Sequence, residues 1–278
     1  MDPPVRPLTI GLRRLLLVAS GLVALAALQL FVLTEHTDSY FSWTIAPGLT
    51  AAFLGAGYFA SFFLENLAAR RAAWADARVS VPPVLVFTVL TEIATLVHVG
   101  KFHFHERLIW AGLAAWIWIA IYTLVPIAMV LLLPAQLRSH GDDPPRTASM
   151  PTIVAIVLGL QALAVGVIGL LLFLDPVRWA SIWPWTLTPL TGQAVGAWLL
   201  GIAVGVAGSI VERDLVRIRP AMTAYALFGT AELVALARYG ADVRWGEPQS
   251  WIFLGIVASI GAVGWLGVSA STKATTAA

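Results

Sequence analysis

The stretch TEIATLVHVGKFHFHER, residues 91 to 107, gathers the chain's rarest residue types in one place. Glu92 stands inside an apolar run, and His98, Lys101, His103, His105, Glu106 and Arg107 crowd its end. An ionised side chain at a bilayer centre costs roughly 2.5–3.5 kcal/mol, so an intramembrane acid marks a functional position by default. Thr88, Thr91, Thr95 and His98 recur at intervals of three, four and three, one helical stripe that Glu92 flanks. His98 is placed to relay protons to Glu92. A second acid, Glu232, sits in FGTAELVAL at 228–236, with Tyr225 and Tyr239 seven residues to either side and Gly229 one turn before it. Glu92, Glu232 and His98 are therefore the expected acid or proton-carrying groups. Thr88, Thr91, Thr95, Tyr225, Tyr239 and Lys101 are the expected ligand contacts.

The remaining polar residues read differently. His98, His103 and His105 form HxxxxHxH, which is not a metal-ligand spacing, and His36 in TEHTD supplies no motif either. Neither a metal nor a cofactor is expected. His103 and His105 read as interfacial, alternating with Phe102 and Phe104 dipping into headgroups. Glu65 with Arg70 and Arg71, and Glu212 and Asp214 with Arg213, Arg217 and Arg219, read as helix-end charges that orient helices in water or headgroups. The matched places of Glu65 and Glu212 leave room for an inner gate. No GxxxxGK[ST], GxGxxG, HExxH or GxSxG motif occurs, so nucleotide hydrolysis, dinucleotide binding, zincin chemistry and serine hydrolysis have no support. Cysteine is absent, which excludes disulfides and thiolate chemistry together.

The elements that must position these groups are helices in a membrane. Hydrophobic residues fill 59% of the 278 positions and charged residues 12%, against about 25% in a soluble domain. Eight stretches reach the roughly 20 apolar residues that a span needs: 12–34, 47–65, 82–100, 108–134, 152–174, 190–210, 220–238 and 250–270. The loops leave no room for a soluble domain. Residues 13–28 have features of a cleavable signal, but the apolar run continues to Leu33, which predicts a retained first helix.

With the N-terminus placed in the cytoplasm, Lys and Arg divide twelve inside against five outside, the latter being Lys101, Arg107, Arg178, Arg238 and Arg244. This follows the positive-inside rule and puts both termini in the cytoplasm of an inner-membrane protein. Trp43, Trp110, Trp179, Trp183, Trp185, Trp245 and Trp251 then fall at the outer boundary, as an interfacial belt would.

The chain also repeats. WTIAP at 43–47 parallels WTLTP at 185–189, and FTVLTEIATL at 87–96 parallels FGTAELVAL, in the same order at nearly the same spacing. The predicted architecture is an all-α membrane protein of two parallel four-helix repeats, 1–134 and 152–278, joined by a cytoplasmic loop at 135–151. Pro126 should kink the fourth helix, with Tyr122 and Thr123 satisfying the freed carbonyl. Gly201 and Gly205 form a GxxxG pair that predicts a central sixth helix.

Three functions suit such a chain. The first is binding or translocation of a small molecule or protons through a carboxylate-lined cavity between the third and seventh helices, open to the outside. The second is an enzyme acting on an isoprenoid or lipid by general-acid chemistry. The third is a non-catalytic subunit of a membrane complex. Membrane lipids are expected partners and nucleic acid is not; the oligomeric state stays open.

Overall fold

A computed structural model describes residues 4–105 and 109–276. Glu106 and Arg107, counted above, lie outside the described residues. Eight helices are long and apolar enough to cross a membrane. They are α1 (Ile10–Ala27, prolonged by a π turn over Leu28–Val32), α2 (Gly48–Ala69), α3 (Val81–Val97), α4 (Ile109–Leu137), α5 (Thr152–Leu174), α6 (Pro189–Glu212), α7 (Arg219–Tyr239) and α8 (Pro248–Thr276). No strand occurs among the described residues. The chain is an all-α, multi-pass membrane architecture.

Proline sets several helix starts, because the first turn has no use for the N–H it lacks. Pro82, Pro189 and Pro220 all occupy first turns. At α6 the start is reinforced by a capping box: Thr191 N donates to Thr188 Oγ1 at 3.2 Å, and Thr188 N donates to Thr191 Oγ1 at 2.9 Å. Pro126 and Pro134 both lie inside α4, which continues through them.

The helices form two shells. In α2, α3, α6 and α7, 50–72% of the apolar window is buried; in α1, α4, α5 and α8 the share is 28%. The inner four therefore make the core and the outer four face the lipid. Helix α2 lies between α1 and α7, and α7 between α2 and α8. Helix α6 lies between α5 and α3, and α3 between α6 and α4. Gly201 and Gly205 let α6 approach α3, where Phe87 and Pro83 are their nearest neighbours. The α7–α8 contact is tighter still: a Cβ on Gly264 would stand 2.3 Å from the Ala226 nitrogen.

Both ends of the bundle differ from the sequence expectation. At the tryptophan-rich end, Trp43, Trp183 and Trp185 are buried, whereas Trp110 and Trp251 are exposed as a belt requires. The loops fold inward, because stacking a large ring into a core gains more than leaving it at the interface. Trp43 packs 4.8 Å from Phe41 and 4.9 Å from Trp118, and Trp185 packs 5.0 Å from Trp183 and 5.3 Å from Phe253. Phe102 joins the first group at 5.1 Å from Trp43, so it is not a headgroup anchor. His103 is buried too, with Nδ1 2.9 Å from the Phe41 carbonyl oxygen and Nε2 3.1 Å from Thr44 Oγ1. It pins one loop to another.

At the arginine-rich end the acids are not solvated helix-end charges. Glu212 is 3% exposed and Arg217 5% exposed. Arg217 Nη1 donates to Glu212 Oε1 at 2.5 Å and Arg78 Nε to Glu212 Oε2 at 2.7 Å. Arg78 also pairs with Asp143. Buried Asp214 accepts from the backbone N–H groups of Thr147, Ala148, Val216 and Arg217. The 135–151 connection is thus clamped to the α6–α7 turn. The segment before α1 runs alongside, with Arg6 N donating to the Asp142 carbonyl and Trp74 N to the Arg6 carbonyl.

Candidate functional site: a cavity among the inner helices

A cavity of about 80 Å³ lies where the four inner helices meet. Gly57 and Ser61 of α2, Pro83 and Phe87 of α3, Gly205 and Ser209 of α6, and Tyr225 and Phe228 of α7 line it. Apart from Gly57, which lies near the middle of α2, these positions fall in the halves of the helices nearer the arginine-rich end. The cavity is aromatic and aliphatic: Phe87 and Trp198 pack with ring centroids 3.9 Å apart and planes tilted by 31°. Glycine makes the space, since a Cβ on Gly57 would come within 2.9 Å of the Trp198 ring.

Neither expected acid lines this cavity. Glu92 is half-buried on the far side of α3, where Thr123 of α4 donates to its Oε1 at 2.8 Å. Glu232 is 0% exposed, and both its carboxyl oxygens lack a partner among the described residues. It shares a face of α7 with Phe228, whose ring lies 5.9 Å from Phe53 of α2. The two acids therefore occupy different surroundings.

Register explains the separation. Phe87 and Phe228 both line the cavity, but Glu92 follows its phenylalanine by five residues and Glu232 by four. At about 100° per residue, four steps come back to within about 40° of the phenylalanine and five swing about 140° away. Glu232 stays on the inward face, and Glu92 turns toward α4.

The other expected residues are mostly occupied with structure. Thr88 Oγ1 donates to the Val84 carbonyl at 2.8 Å and Thr95 Oγ1 to the Thr91 carbonyl at 2.8 Å, while Trp118 Nε1 donates to Thr95 Oγ1 at 3.0 Å. Thr91 Oγ1 and His98 Nε2 are buried atoms without a partner among the described residues. Tyr225 lines the cavity and its hydroxyl donates at 3.0 Å to Gln161, which donates on to Ser259 at 2.8 Å, joining α7, α5 and α8. Tyr239 pairs with Thr34 and lies under Arg238, whose Cζ is 5.0 Å from its ring centroid. Lys101 is exposed. Thr123 and Tyr122 do not serve the carbonyl freed by Pro126: Thr123 binds Glu92, and Tyr122 shares a 2.5 Å hydrogen bond with Tyr58. No three His, Asp or Glu side chains converge among the described residues.

Gln161 and Glu65 are the functional-site candidates that the sequence reading missed or set aside. Ser61, on the cavity wall, donates to Glu65 Oε1 at 3.4 Å. The only signal for this was the i, i+4 spacing of Ser61 and Glu65, one helical face. Comparison with known protein families, curated proteins and solved structures finds no match for this chain.

Proposed function

We propose that this membrane protein binds or translocates a small, mainly apolar molecule in the cavity between α2, α3, α6 and α7. The observation that carries this is the cavity's place: each half of the chain contributes two corresponding helices to its wall. The packing of α2 on α7 answers that of α6 on α3, as α1 on α2 answers α5 on α6. Such pairing supports two parallel units related by rotation about the membrane normal. Secondary transporters with internal repeats hold substrates at the repeat interface, an architectural analogy and no more. Apolar walls with a few polar groups are the usual make-up of a small-molecule site.

The general-acid reading at Glu92 and Glu232 loses support, because catalysis needs the carboxyl within hydrogen-bond reach of the substrate, and neither of these acids lines this space. The cavity also lies nearer the arginine-rich end, which the positive-inside rule assigns to the cytoplasm, and so departs from the outward-open site expected. A cysteine at exposed Gly246 should react with an impermeant thiol reagent in intact cells and one at exposed Ser149 should not; the reverse pattern overturns that orientation.

A carbene-generating aryl diazirine, photolysed in reconstituted vesicles, tests the site. Saturable labelling should map to 57–64 of α2, 198–209 of α6 and 221–228 of α7. Labelling that never saturates and is confined to α1, α4, α5 and α8 would contradict it.

A further inference from the structure

Glu65 lies about one turn before the end of α2 and Glu212 ends α6, and the two carboxyls are buried alike at 2% and 3% exposure. Their partners differ. Glu212 holds Arg78 and Arg217 as counter-ions. Glu65 has the Ser61 hydroxyl on Oε1 and nothing on Oε2 among the described residues. A buried carboxylate is tolerated when a cation meets it, and a charge-assisted hydrogen bond is about twice as strong as a neutral one. Resting on the reading that the cavity is a ligand site, we infer that Glu65 is the counter-ion for the ammonium group of a small organic amine whose apolar body fills the cavity.

Three features of the site converge on that class. Ser61 connects Glu65 to the cavity, because it lines the cavity and hydrogen-bonds Glu65. Gly57, Ser61 and Glu65 follow one face of α2 at steps of about 6 Å, given a rise of about 1.5 Å per residue. An amine nitrogen near Ser61 thus puts its body beside Gly57 and the Phe87–Trp198 pair. Aromatic faces attract cations as well as apolar groups, so these walls suit an organic ammonium. An inorganic cation needs a shell of oxygen ligands, which one carboxyl among apolar walls does not supply.

The test is equilibrium binding of radiolabelled 2-phenylethylamine to the purified chain in lipid nanodiscs. Propylbenzene is the neutral competitor and 3-phenylpropanoate the anionic one. Binding should saturate, the anion should fail to compete, and propylbenzene should compete far less well than unlabelled amine. Glu65→Gln should weaken amine binding at least about tenfold, the scale of one charge-assisted hydrogen bond. Ser61→Ala should weaken it less. Diazirine labelling of the cavity should persist in Glu65→Gln, which shows that the variant is folded. Amine binding that Glu65→Gln leaves unchanged, or that propylbenzene abolishes as readily as amine does, overturns this inference while the cavity reading stands. Cavity labelling without any amine binding overturns it equally. Loss of saturable labelling in the unaltered protein removes the cavity reading itself.

Discussion

Glu232 is the least compensated group among the described residues: fully buried, with two carboxyl oxygens and no partner for either. Removing a polar group that makes no hydrogen bond relieves a desolvation cost of about 1–3 kcal/mol. Glu232→Met should therefore raise the melting temperature in detergent. Glu92→Met should leave it level or lower it, since that change forfeits the 2.8 Å bond from Thr123. A fall in Glu232→Met would mean that the carboxyl holds a partner, and a proton-linked role would regain ground. The presence of both acids inside helices was legible from the sequence alone. Their surroundings were not, because one residue of register between Phe and Glu decides which neighbouring helix each acid meets. His103 failed for a related reason: alternation with Phe102 and Phe104 says which residues share a side, not which side the core takes.

At the scale of elements, α7 and α8 touch through backbone. Gly264→Ala would drive a Cβ to 2.3 Å from the Ala226 nitrogen, whereas Gly255 has nothing within 4 Å of its ideal Cβ. Overpacking of this kind costs typically 1–3 kcal/mol or more. Gly264→Ala should lower the melting temperature clearly and Gly255→Ala should not; equal effects would mean that the helices are further apart than described.

The α6–α7 turn carries a pH-dependent anchor. Burial alone would push the Asp214 carboxyl up, but the backbone N–H groups of Ala148, Arg217, Thr147 and Val216 outweigh that and hold it below the usual carboxylate range. A depressed carboxyl stabilises fully above its unfolded value of about 3.9, and that contribution is lost as pH falls through the lower folded value. Asp214→Asn should melt below wild type near neutral pH, and the gap should close in acid below about pH 4. A gap that stays constant through that range would contradict the anchor. Helix starts were readable here, because Pro82, Pro189 and Pro220 act locally. The clamp was not, since Arg78, Asp143 and Glu212 meet across separations of 65 and 134 residues.

The whole molecule is two shells around a small space, and only part of that plan was written locally. Hydropathy and the glycines at 201 and 205 place eight helices and an inward α6. The two short repeats suggest a matched pair of halves. The tryptophans misled because amphipathic rings suit either an interface or a core, and the loops from 41 to 47 and 183 to 189 choose the core. The cavity was invisible for a different reason. It is made by absences, at Gly57 and Gly205, on helices whose mutual distance no local pattern encodes. Its walls nonetheless bring together the four helices that the proposed repeat would pair, and that coincidence is the centre of the functional reading.

An experimental density map of the chain purified from native membrane in lipid nanodiscs tests it most directly. Non-protein density bounded by Gly57, Phe87, Trp198 and Tyr225, with a polar end reaching toward Ser61 and Glu65, is the expected result. Inner helices closed onto one another, with side chains filling the space and no density between them, would contradict it.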